Sequence, residues 1–83
     1  MMQVLIRFDT DDADAFVASY ADASERRDQA GLRQLQLWRE KGTSTVWGLF
    51  DASDRSRVEE WLSSERGLCK SLTGTEAHYL RTV

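Results

Sequence analysis

Apolar and polar positions follow two different rhythms along this chain. Residues Gln3 to Phe8 (QVLIRF) form an apolar run broken only by Arg7, too short for a helix and rich in strand formers. The run predicts a strand near the middle of a sheet. The acidic stretch Asp9-Thr10-Asp11-Asp12 ends that strand and opens a helix, with Thr10 or Asp11 as cap and Asp12 and Asp14 at the positive end of the helix dipole. From Ala13 to Ala30 the spacing becomes three and four. Phe16, Val17, Tyr20 and Ala23 or Ser24 make an apolar stripe, and Asp22, Glu25, Arg26 and Asp28 face solvent. Gly31 is the expected stop.

Leu32 to Glu40 and Thr43 to Asp51 return to a period of two and read as a hairpin turning at Lys41-Gly42. In that register Trp38 opposes Thr45, Gln36 opposes Trp47 and Gln34 opposes Leu49, all on one face. Leu35, Leu37, Val46, Gly48 and Phe50 share the other. Asp51 or Ser53 would cap a second helix whose inner stripe is Val58, Trp61, Leu62, Leu68, Cys69 and Leu72. Gly67 is expected to break or bend it, and Gly74 to end the element. Glu76 to Val83 reads as the last strand. The order is β-α-β-β-α-β.

Right-handed crossovers place the first strand beside the third, the fourth on its far side and the second at the other edge. The expected fold class is α+β: a ferredoxin-like βαββαβ plait, a four-stranded antiparallel sheet with both helices on one face, occupying residues 1–83 as a single domain. The uncovered side would display Leu5, Arg7, Gln36, Trp38, Trp47 and Leu49. Such an apolar patch is rarely left bare on a soluble monomer. A second copy packed face to face would close it into a β-barrel with the helices outside, so a homodimer through the open sheet face is expected.

Composition narrows the function classes. With 83 residues and 9.5 kDa the chain offers one small core. Eleven Lys and Arg against fourteen Asp and Glu give a net charge of −3, which argues against nucleic acid as a partner. No apolar run approaches the ~20 residues of a membrane span, and Met1-Met2-Gln3-Val4 lacks the basic start of a signal peptide, so a cytoplasmic location is expected. A lone cysteine excludes an internal disulfide and any multi-cysteine metal cluster. No metal site is expected either, because Asp9, Asp11, Asp12 and Asp14 lack the glycine and terminal glutamate of a calcium loop.

At this level of pattern the chain resembles the dimeric α+β barrel superfamily, which includes stress-responsive barrel proteins and antibiotic-biosynthesis-monooxygenase-like proteins. The matching features are the strand QVLIRF, the long helix ending Arg26-Arg27-Asp28-Gln29-Ala30-Gly31, and the hairpin LQLWREKGTSTVWGLFD. Ala52-Ser53-Asp54 before an amphipathic helix and the closing strand Glu76-Ala77-His78-Tyr79-Leu80 also match. The resemblance implies a small, often aromatic or polyketide-like ligand and chemistry that needs no cofactor: oxygenation, isomerisation or cyclisation. The haem-degrading branch is disfavoured, since the chain has no asparagine and its one histidine lies in the last strand.

Within that frame the candidate site residues are few. His78 is the one side chain whose ordinary titration falls near neutrality and is the natural candidate general base or acid, its simpler role being a strand histidine satisfied by a polar neighbour or water. Tyr79 points to the opposite side of the same strand, so only one of the pair can face the barrel. Arg7 would hold a ligand carboxylate, enolate or phosphate, or else pair with a carboxylate such as Glu76 or one across the dimer. Trp38, Trp47 and Tyr20 would wall a pocket between the open sheet face and the first helix, with Gln36 orienting the ligand. The simpler role of the tryptophans is dimer packing, and that of Tyr20 is core filling. A non-catalytic, structural or stress-associated dimer whose interior is packed with side chains is the competing function.

Overall fold

The computed structural model describes residues 2–83. Four strands and three helical segments follow in the order β1 (Met2–Thr10), α1 (Ala13–Asp22), α2 (Ser24–Gln29), β2 (Leu32–Arg39), β3 (Val46–Ala52), α3 (Arg55–Leu68) and β4 (Leu72–Leu80). The strands form one antiparallel sheet in the order β2-β3-β1-β4, with the helices on one face. This is the expected plait. Along β1 the burial alternates: Val4, Ile6, Phe8 and Thr10 point under the helices, and Gln3, Leu5, Arg7 and Asp9 point away.

Phe8 is the centre of the core. Its ring lies 5.0 Å from that of Phe16 and 6.2 Å from those of Tyr20 and Trp61, the last two in edge-on contact. Val46, Phe50, Val58 and Leu62 complete the layer between sheet and helices. Gly48 on β3 is there because space is lacking: a Cβ would meet the Phe50 ring at 2.6 Å and Leu37 at 3.4 Å.

The boundaries differ from the sequence reading at several points. One helix over Ala13–Ala30 is replaced by two, interrupted at Ala23, where the Arg27 guanidinium donates to the Tyr20 carbonyl. The first cap is Asp12, which accepts from the Ala15 N–H at 3.1 Å, and not Thr10 or Asp11. Thr10 is instead the last residue of β1, exchanging hydrogen bonds of 2.5 Å with Ser44. The second cap is Asp54, where Asp51 or Ser53 was expected. Hydrogen bonding to Ser56 holds the Asp54 carboxyl below its ordinary value.

Gly67 does not break α3, which runs on to Leu68, and β4 begins at Leu72, so Gly74 lies inside a strand. Leu68 is exposed, and Glu65 occupies the inner stripe in its place. Its carboxylate is 8% exposed and accepts from Arg26 Nε at 2.8 Å. Gly31 does end the second helix, with φ +74°.

The hairpin register is shifted by two residues. The Glu40 N–H donates to the Thr45 carbonyl, so the loop is Lys41–Ser44, and Trp38 opposes Trp47 while Gln36 opposes Leu49. Ser44 is tied to the end of β1, and Thr43 bonds Glu40, which together favour the longer loop over a two-residue turn. A slip of two leaves every side chain on its expected face. A bulge at Leu35 then resets the pairing, and Gln34 opposes Phe50. Leu35, expected on the core face, is 40% exposed.

Candidate functional site

The open face of the sheet collects one residue in two from each strand. From β2 come Gln36 and Trp38, from β3 Trp47 and Leu49, from β1 Leu5 and Arg7, and from β4 Glu76 and His78. Among the described residues no helix packs on this side. Trp38 is 45% exposed and Leu80, at the end of β4, 44%. Arg7 is central: its neighbours across the strands are Trp47 on β3 and Glu76 on β4.

The guanidinium of Arg7 is held between two carboxylates. Nε and Nη2 donate to the two oxygens of Asp9 at 3.0 and 3.2 Å, and Nη1 lies 2.7 Å from Glu76 Oε2. These partners, Asp9 above all, raise the Arg7 pKa further and keep it charged. The other oxygen of Glu76 is 3.3 Å from His78 Nε2. Asp9, Arg7, Glu76 and His78 thus form a continuous polar chain across β1 and β4, beside a tryptophan whose own Nε1 donates to Glu40 at 2.9 Å.

Five of the seven sequence-derived candidates share this face: Arg7, Gln36, Trp38, Trp47 and His78. Tyr20 and Tyr79 do not join them. Tyr20 is 7% exposed in the core, on the opposite side of the sheet; its hydroxyl donates to Gln34 Oε1 at 2.5 Å and Arg27 stacks on its ring at 3.6 Å. Burial pushes its phenol up. A pocket between the open face and the first helix is therefore not formed within the chain, because the sheet separates them.

Tyr79 lies on the helix side, where its hydroxyl donates to Glu59 at 2.9 Å under the Arg55 guanidinium; burial, then Glu59, push its pKa up to about 12. Asp9 and Glu40 were overlooked as site residues, although Arg7 and Asp9, like Glu76 and His78, are two apart on strands and so share a face. Among the described residues no group of three His, Cys, Asp or Glu side chains could hold a metal ion, and no helix is long and apolar enough to cross a membrane.

A family profile described as a domain of unknown function, DUF3303, matches residues 1–70. The chain belongs to the DUF3303 family. The matched segment stops short of β4, so Arg7, Trp38 and Trp47 fall inside it, and Glu76 and His78 beyond it. No curated protein matches this DUF3303 chain in sequence.

Solved structures place the fold. An antibiotic biosynthesis monooxygenase superposes with a TM-score of 0.69 at 14% identity, over 100% of this chain and 99% of that one. SnoaB, a cofactor-independent oxygenase from Streptomyces nogalater, does so at 0.68 and 14%, over 98% and 91%. An acylphosphatase from Bacillus subtilis reaches 0.70 at 12%, over 100% and 89%. The DUF3303 chain therefore has the ferredoxin-like fold of the antibiotic biosynthesis monooxygenase and SnoaB, as the resemblance implied. Oxygenase and acylphosphatase chemistry occur on the same scaffold, so the scaffold alone does not select a reaction.

Proposed function

We propose that this DUF3303 protein is a homodimer closed through its open sheet faces, binding a small aromatic or polyketide-like ligand in the barrel interior. The observation that carries the reading is the uncovered face on which Trp38, Trp47, Leu5 and Leu49 surround the Arg7–Glu76–His78 chain. The two long dimensions of the molecule, 33 and 24 Å, bound a face of about 800 Å², one partner's share of a standard interface. Trp38 and Trp47 would wall the ligand and Gln36 orient it. Arg7 would position Glu76, and His78 would carry the proton if the ligand is transformed without a cofactor. Support for the ligand class comes from the shared fold of SnoaB and the antibiotic biosynthesis monooxygenase.

A ligand-free interior filled by side chains is the second reading. What favours it is that Asp9 and Glu76 already neutralise Arg7 and take three of its five N–H groups, which weakens its hold on an anion. Thermal unfolding against a panel of small aromatic acids separates the two. A ligand held in the interior raises the melting temperature with concentration, by about 2.7 kcal/mol of stability at a hundredfold excess over Kd. The shift is expected to vanish in Trp47→Ala. A flat response to every panel member would leave the packed dimer.

A further inference from the structure

The polar chain on the open face carries a surplus of negative charge. Asp9 and Glu76 set two carboxylates against the one guanidinium of Arg7. At the end of the chain stands His78, with its Nε2 3.3 Å from Glu76 Oε1, the oxygen opposite the one Arg7 holds. All four side chains are part-exposed in the single chain, so water screens the surplus there. The other charges along this face do not cancel it. Asp51 on β3 opposes Arg33 on β2, an acid against a base, and Glu40, just past β2, adds a further carboxylate at the Trp47 indole. On β1 the residue opposite His78 is the neutral Leu5, and Arg81, past the end of β4, is exposed.

Closing two such faces on each other removes the screening water. A buried charge without a counter-charge is costly, and in sheets packed about 10 Å apart the two surpluses also repel. One proton per copy relieves both. Glu76 is a poor place for it, because Arg7 Nη1 lies 2.7 Å from its Oε2. An imidazole takes up a proton at a much higher pH than a carboxylate, and a protonated Nε2 facing Glu76 becomes a charge-assisted donor. We propose that the face-to-face pair, the reading on which this inference rests, forms with uptake of one proton at His78 in each copy, so that pairing is tight below neutrality and weakens above it. The sign follows from linkage: a proton bound by the pair and not by the separate chains favours the pair where protons are plentiful.

Sedimentation equilibrium of the intact protein at constant salt, from about pH 6 to about pH 8, reads the dissociation constant across the window in which histidine titrates and carboxylates do not. The constant is expected to rise by about tenfold or more over that range. His78 is the chain's one histidine, so His78→Gln should remove the dependence and pair as weakly at the acid end as the wild type does at the alkaline end. Glu76→Gln removes the surplus carboxylate and should stay paired at the alkaline end. Should one variant fail to fold, the other still decides. A constant that is level or falls as pH rises, or a rise that survives in either variant, overturns the coupling and leaves the dimer standing. A particle of 9.5 kDa at every pH overturns the dimer itself, and the coupling with it.

Discussion

Tyr79 shows how a single side chain is committed by its neighbours. On the helix side of β4 its hydroxyl donates to Glu59 while Arg55 covers its ring, and its pKa is pushed from 10.0 to about 12. A phenol that holds its proton more tightly when folded contributes stability that is complete below pH 10 and is lost as pH rises toward 12. Chemical denaturation between those values is expected to show a falling midpoint, with a shallower fall in Tyr79→Phe. Some slope would persist, since burial also raises Tyr20. The choice between His78 and Tyr79 for the open face could not be made from the strand alone. Alternation separates them but does not say which side the helices take. The cross-strand partners decide it: His78 opposes Leu5, and Tyr79 opposes Val4.

At the scale of elements, what was legible tracked hydrophobic spacing, and what was not depended on side chains bonding the backbone. The four strands and their order followed from alternation and crossover handedness, as did the faces of β1 and β3, whereas the bulge at Leu35 moved Gln34 and Leu35 from the faces expected of them. The caps did not, because Thr10, Asp11 and Asp12 offer the same chemistry in a row. Only the tie of Thr10 to Ser44 removes it from contention. The interruption at Ala23 was equally hidden, since it rests on Arg27 reaching the Tyr20 carbonyl. Asp12→Ala removes the acceptor from the first turn of α1 and should cost about 1 kcal/mol, lowering the melting temperature by about 4–8 °C. Scanning calorimetry reads this directly. The candidate site was legible in its residues and not in its wiring. Arg7, Trp38, Trp47 and His78 stood out singly, while the bridging role of Glu76 needed the β1–β4 register.

For the molecule as a whole, the asymmetry of the sheet is what the proposed dimer rests on. One side has its helices, and the other presents tryptophans and an ion-paired arginine to whatever approaches. Trp47→Glu replaces the aromatic opposite Arg7 with a charged group that a closed pair would have to bury, so light scattering is expected to fall from twice 9.5 kDa to 9.5 kDa with the circular dichroism unchanged. A wild-type particle of 9.5 kDa would remove the dimer outright. The irregularity at Leu35 bears on the same question from another direction. β2 is an outermost strand, and an uninterrupted ladder of free amides and carbonyls there would invite strand after strand to add sideways without limit. The extra residue spoils the spacing such a template requires. Growth into fibrils is discouraged at the rim, so the proposed pairing of open faces would end with two copies.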